Sequence, residues 1–276
     1  MDRMSSKDRV LGILLKSAGE YVSGEAIADS LMISRNAVWK AIGLLKREGY
    51  HIEAATRRGY RLETGMDPLH EDSILLAADV PDLTLHIFDT IDSTNRKAKE
   101  MALLGAPHGT AVAADSQSEG SGRHMRKFFS PGGGIYLSVI LRPRRMSFTD
   151  PEGVTAYAAV SVRKAILEST GKAARIKPVN DLFIGDRKLS GILTESISDF
   201  ESGEIGWIVV GIGVNYRLKR EEIPEDIRDK VISLYGEEEN GTPRDIIIGA
   251  ILRHLLAEEI TKSRDEILKE YSRYVL

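Results

Sequence analysis

The chain has 276 residues, 42% hydrophobic and 29% charged, with a net charge of −3 and no cysteine. This length suggests about two domains, each with ample core, and the missing thiols exclude disulfides, cysteine nucleophiles and cysteine-ligated zinc. No apolar run approaches the roughly 18 residues of a membrane span, and the charged start MDRMSSKDRV lacks the apolar stretch of a signal peptide; the expected compartment is a reducing cytoplasm. The charge is uneven. Residues 1–63 hold 11 Lys+Arg against 8 Asp+Glu, and the remainder 27 against 33. A basic module on an acidic body points that module toward a polyanion.

Residues 7–17 carry Val10, Leu11, Leu14 and Leu15 at helical spacing. A second short helix follows Ser23-Gly24. Ser34 is an N-cap for a third helix, in which Val38, Ala41, Ile42 and Leu45 form the buried stripe. Arg35, Asn36, Trp39 and Lys40 face away from it. Gly49 ends this helix, and YHIEAATRRGYRLE reads as two short strands around Arg57-Arg58-Gly59. The layout is a winged helix-turn-helix over residues 1–63. Its third helix suits a major groove, while Arg57 and Arg58 suit phosphates. A small helical bundle used for protein contacts is the competing reading. Gly65-Met66-Asp67-Pro68 marks a linker at 64–68.

Residues 69–276 read as a second domain. Strands are expected at 83–90, 110–117 and 135–141, the last with Ile135, Leu137, Val139 and Leu141 on one face. Helices are expected at 93–105, capped by Ser93 or Thr94, and at 151–170. Gly185-Asp186 is a two-residue hairpin turn. The last fifty or so residues look helical, with Thr242-Pro243-Arg244-Asp245 as a capping box. Hairpin-paired strands with helices between them make the fold α+β.

The stretch GSGRHMRKFFSPGGG at 120–134 lies between two strands. It has no G-K-[ST], and Met125 stands where a dinucleotide fingerprint needs its third glycine. Gly120 and Gly122 permit close backbone approach or positive φ, Arg123 and Arg126 offer forked donors to anions, and Phe128 offers a face to a ring. Lys177 and Lys188 flank Asn180-Asp181, and Gly211 and Gly213 interrupt an apolar strand that ends at Asn215. Interior strand glycines imply close backbone approach.

In order and spacing, DSTN (Asp92–Asn95), Gln117 with GSGRHMRKFFSP, KPVND, GDRKLSGIL and GIGVN resemble the biotin protein ligases, specifically the bifunctional kind that also represses biotin operons. The resemblance implies a mixed-sheet catalytic domain of the biotin/lipoate ligase type behind the winged helix. It implies that ATP, with Mg²⁺, activates biotin to biotinyl-5'-AMP, and that the biotin then passes to a lysine of a biotin carboxyl carrier protein. By position, Ser93, Thr94, Asn95, Gln117, Gly120, Ser121, Gly122, Arg123, Lys188 and Gly191 would bind biotin. Arg126, Phe128, Lys177, Asn180, Asp181, Gly211, Gly213 and Asn215 would bind the nucleotide. Lys188 and Arg123 would be catalytic, and no metal ligand is assigned. Ser34, Arg35, Asn36, Trp39, Lys40, Arg57 and Arg58 would meet operator DNA as a homodimer formed on adenylate binding.

Several positions depart from the family pattern. Ser121 replaces an arginine, Met125 a glycine and Phe128 a tryptophan, while KPVND replaces KWPND. The family's small C-terminal β-barrel is expected to be absent, because the chain stops at YSRYVL. Two functions therefore stay open at this level: a ligase that is also a repressor, and a repressor that senses biotin or its adenylate with weakened catalysis. A lipoate ligase is a third, opposed by the fused winged helix.

Overall fold

The computed structural model describes residues 5–63, 68–198, 205–237, 241–256 and 262–276. All of the expected linker except Pro68 therefore lies outside the described residues.

Helices α1 (Ser6–Lys16), α2 (Gly24–Leu31) and α3 (Arg35–Arg47) precede strands β1 (Ile52–Ala55) and β2 (Gly59–Leu62). The caps form as their chemistry requires. The Ser34 hydroxyl accepts the Ala37 N–H, and Ser5 and Asp8 make a capping box. Val10, Leu11, Leu14, Ile27, Val38, Ile42 and Leu45 pack into one core. β1 and β2 pair antiparallel, and Val22 adds a bridge to Tyr60 that sequence reasoning missed. Gly59 is required there: its φ is +102°, and a Cβ would lie 2.1 Å from the Val22 carbonyl oxygen.

The rest of the chain runs α4 (Glu71–Ala78), β3 (Leu85–Ile91), α5 (Thr94–Leu103), β4 (Ala111–Gln117), β5 (Ile135–Leu141), α6 (Pro151–Thr170), β6 (Arg175–Lys177), β7 (Asp181–Ile184), β8 (Arg187–Ser198), β9 (Ile205–Val214), α7 (Glu225–Arg228), α8 (Arg244–Leu256) and α9 (Arg264–Ser272). The strands form one seven-stranded sheet, ordered β3-β4-β5-β9-β8-β7-β6, in which only β3 and β4 are parallel. Helices α4, α6 and α8 pack with the main core, while α5 covers a smaller one containing Val112, Ile140 and Val209.

The alternation read in β5 holds, with Ile135, Leu137, Val139 and Leu141 together in the main core, and the strand is buried along its whole length because helices cover both faces. One local expectation needs correction. The C-terminal region is only partly helical, since residues 229–237 are turns and a bridge from Val231 to Lys188. At the start of α8 the Thr242 hydroxyl donates to the Ser169 carbonyl, and the Asp245 carboxylate accepts the His70 N–H.

Winged helix and sheet domain touch along α1 and α4. Lys7 bridges Glu48 and Asp72, both at 2.8 Å. Burial pulls the Lys7 ammonium pKa down, but hydrogen bonds and charge from the two carboxylates more than reverse this, leaving it raised. Tyr50 stacks on His70 at 4.0 Å between ring centroids and shares a 2.7 Å hydrogen bond with Ser73.

Candidate active site

A cleft of about 390 Å³ opens over the middle of the sheet, within the range of small-molecule sites. Its floor is β8 and β9, one wall is the start of α5, and its cover is the basic loop after β4.

The floor explains the strand glycines. A Cβ at Gly211 would lie 2.1 Å from Asn95 Oδ1, and one at Gly213 would lie 2.4 Å from the Phe128 ring. At Gly191 a Cβ would come 3.1 Å from both Phe128 and Lys188 Nζ. The three glycines thus let Asn95 and Phe128 rest on bare backbone.

A hydrogen-bonded network forms the wall. Ser93 caps α5, accepting the Arg96 N–H. Gln117 Oε1 accepts the Thr94 N–H at 2.8 Å, and Gln117 Nε2 donates to Ser130 Oγ at 3.0 Å. Ser138 lies 2.8 Å from Thr94 Oγ1 and 2.6 Å from Asn95 Oδ1. Asn95 Nδ2 donates to Glu195, which also pairs with Lys99. The Gln117 amide is therefore fixed in orientation, with one Nε2 hydrogen left to aim into the cleft. Sequence reasoning missed Ser138, Ser130, Glu195 and Lys99. The available signal was a lone hydroxyl, Ser138, inside the apolar run IYLSVIL.

The loop is more ordered than a plain connection. Gly120 O accepts the Phe128 N–H, Gly122 N–H donates to Arg126 O, and Ser121 bridges Lys127. A single 3-10 turn, Arg123–Met125, sits at its tip. Positive φ occurs at His124 (+55°) and at neither Gly120 nor Gly122. Gly120 is needed for space instead, since a Cβ there would strike Ser130 Oγ at 2.4 Å. It forms the loop stem beneath the lining. Ser121, Gly122, Arg123 and Arg126 line the cleft, joined by His124 and Lys127, which sequence reasoning did not assign. Tyr136 braces the outgoing stem, donating to the Pro131 carbonyl at 2.8 Å. Burial, with the nearby Asp115 charge, pushes its pKa up and keeps the phenol a donor.

At the other end, Lys188 Nζ lies 2.8 Å from Asp181 Oδ1 without hydrogen-bond alignment. Arg123 donates to Asn180 Oδ1 at 3.3 Å. The cleft thus holds Arg123, Arg126, Lys127 and Lys188 against one carboxylate, Asp181, which suits a polyanionic ligand.

Besides Gly120, two expected residues fall outside it. Lys177 sits on the edge strand β6 opposite Asp181, on the cleft's face of the sheet but one strand beyond the lining. Its ammonium lies 5.0 Å from the Phe183 ring centroid. Asn215 is buried behind the floor and donates to the Lys188 carbonyl. It supports Lys188 rather than lining the site.

In the winged helix, Ser34, Arg35, Asn36, Trp39 and Lys40 share the exposed side of α3, with Trp39 65% exposed. Arg57 and Arg58 are exposed at the wing turn. Arg58 lies 3.9 Å over the Tyr21 ring and Arg61 4.8 Å, a cation–π arrangement that pre-positions both.

Residues 87–215 match the biotin/lipoate A/B protein ligase family, and residues 7–61 match an HTH domain. The bifunctional ligase/repressor BirA of Bacillus subtilis (strain 168) is 36% identical over 235 residues, covering 84% of this chain and 71% of that protein. BirA of Escherichia coli (strain K12) is 31% identical over 211 residues, covering 76% and 64%. Among solved structures, the biotin protein ligase from Aquifex aeolicus in complex with biotin and ATP is similar at a TM-score of 0.59 and 30% identity, over 70% of this chain and 78% of that one. The ligase-family and HTH matches thus occur together in this chain, as the two roles do in the names of its curated relatives, and the chain belongs to the family of bifunctional biotin ligase/repressors.

Proposed function

We propose that this protein activates biotin with ATP to biotinyl-5'-AMP, transfers the biotin to a protein lysine, and represses transcription through its winged helix. The observation that carries the reading is the cationic cleft itself: a built polar wall at one end and four cations around a single carboxylate at the other.

Two anions must meet in the first step. A biotin carboxylate oxygen attacks the α-phosphorus of ATP, forming a P–O bond while pyrophosphate leaves. Arg123 and Lys188 are the catalytic cations, offsetting the developing charge. Lys188 is poised for this because its contact with Asp181 is a charge contact that a phosphate can replace. In the second step the amine of an acceptor lysine attacks the acyl carbon. An amide forms, AMP departs with the electron pair of the broken C–O bond, and the amine loses its proton. The enzyme supplies no nucleophile.

Ser93, Thr94, Asn95, Gln117 and Gly191 form the biotin end, with Gly120, Ser121 and Gly122 shaping the loop over it. Arg126, Phe128, Asn180, Asp181, Gly211 and Gly213 form the nucleotide end. Asn215 acts from behind the floor, and Lys177 stands at the rim opposite Asp181. Asp181 and Asn180 fit Mg²⁺, which needs few protein oxygens when phosphates supply the rest; the ion would neutralise phosphate charge. Loop closure excludes water from the anhydride.

The acceptor is a biotin carboxyl carrier protein, and the compartment is the cytoplasm, where carrier and operator both reside. The domain boundary is placed at 64–68. A homodimer carrying the adenylate would present two α3 helices to an operator. The assay is biotin transfer to a carrier domain with radiolabelled biotin and ATP. Operator binding without transfer would instead support the sensing repressor.

A further inference from the structure

The N-terminal turn of α8 touches both halves of the molecule. Arg244 is only 3% exposed. Its Nη1 lies 2.5 Å from Asp115 Oδ1 and donates to the Gly134 carbonyl at 3.1 Å. Asp115 is two residues before Gln117 on β4, and Gly134 ends the outgoing stem of the basic loop. The same stem is held at Pro131 by Tyr136 and at Gly133 by the Arg217 N–H.

The next residue faces the other way. The Asp245 carboxylate accepts the His70 N–H at 3.3 Å, at the N-terminal end of α4. The His70 ring stacks on Tyr50 of the winged helix, and Tyr50 shares a hydrogen bond with Ser73 of α4. Ile246 packs against the winged-helix core. A small gap between the two units is lined by Leu15, Tyr50 and Leu62 from one side and by Pro243, Arg244 and Asp245 from the other.

We propose that the Arg244-Asp245 pair ties the loop over the cleft to the seat of the winged helix. Arg244 is a positioning residue for the loop stem, and Asp245 transmits the stem's position to α4 and Tyr50. A ligand that changes how the loop closes thereby changes the free energy of the winged-helix seat, and linkage makes operator DNA act on the loop in return. The tie rests on the ligase-and-repressor reading above.

The test uses the full chain and a duplex carrying a site selected in vitro with the wild-type protein. Operator affinity is measured with and without saturating biotin and ATP, and pyrophosphate release is followed separately. Asp245→Ala cuts the His70 arm, and Asp115→Asn the loop arm. Each folded variant should lose at least fivefold of the ligand-induced gain in operator affinity, with Asp245→Ala keeping pyrophosphate release within twofold of wild type. The double variant should lose no more than the larger single loss, because the two arms act in series. A gain kept within twofold in either variant, or losses that multiply, would overturn the tie. Hydrogen exchange on the unaltered chain provides an independent check should a variant not fold. Biotin with ATP should slow exchange at residues 70–74 together with 120–134, and slowing of the loop alone rejects the proposal. Wild-type protein with neither pyrophosphate release nor ligand-dependent operator binding would refute the underlying reading instead.

Discussion

Gly211→Ala puts the floor of the cleft to a quantitative test. The new Cβ would stand 2.1 Å from Asn95 Oδ1, 2.7 Å from its Cγ and 2.9 Å from its Nδ2. Asn95 has nowhere easy to go: it is 6% exposed and held by Ser138 at 2.6 Å and Glu195 at 2.8 Å. Losing the neutral bond costs about 1 kcal/mol and the charge-assisted one about 1.5–3 kcal/mol. Restricting the unfolded chain returns roughly 0.4–1 kcal/mol, since the φ of Gly211 is not positive. The net expectation is a loss of about 1.5–3.5 kcal/mol, or about 1–2 M in urea midpoint at an m-value of about 2 kcal/mol/M. A Trp39→Phe background leaves Trp207, on the same strand as Gly211, as the only tryptophan reporter. Asn95→Ala removes the obstructing amide, so Gly211→Ala should cost much less in that background, a coupling of roughly 2 kcal/mol. Wild-type stability for Gly211→Ala, or costs that add within about 0.5 kcal/mol, would refute the packing argument.

Other expectations are direct. Lys188→Ala should reduce pyrophosphate release by at least a hundredfold with the fold intact; near-normal release would reject its role as a catalytic cation. Replacing Arg57 and Arg58 together by Ala should weaken operator binding and lower the slope of log K against log salt by about 2, so an unchanged slope removes the wing from the interface. His108 has a lowered pKa, through burial first and then the charges of Arg145 and Arg142, and its Nδ1 accepts the Arg142 N–H. The unfolded state therefore takes up a proton more readily, and this contribution to stability is complete above about pH 6.5 and lost as pH falls below it. Urea midpoints between pH 7 and 5 should fall less steeply in His108→Gln than in wild type, and parallel curves would count against this assignment.

What was legible in the sequence was local. Ser34 and Ser93 cap their helices because a hydroxyl beside an unpaired N–H needs no distant partner. Gly185-Asp186 turns a hairpin for equally local reasons, and α3 shows its buried and exposed sides at a spacing of 3.6. The motif segments located the cleft, since each runs along or ends at a strand of its floor or wall. Tertiary structure decided which side chains enter it. Lys177 and Lys188 bracket the same hairpin, yet the strand order leaves one on the outermost strand, β6, while β8 carries the other into the lining. Asn215 ends a floor strand but supports Lys188 from behind. Ser138 and Glu195 join Asn95 only because β5, β9 and β8 lie side by side, an order that pairing and burial over the whole sheet determine and no local spacing encodes. The Asp115–Arg244 contact joins residues 129 positions apart, and only folding brings the loop stem, α8 and the winged-helix seat together.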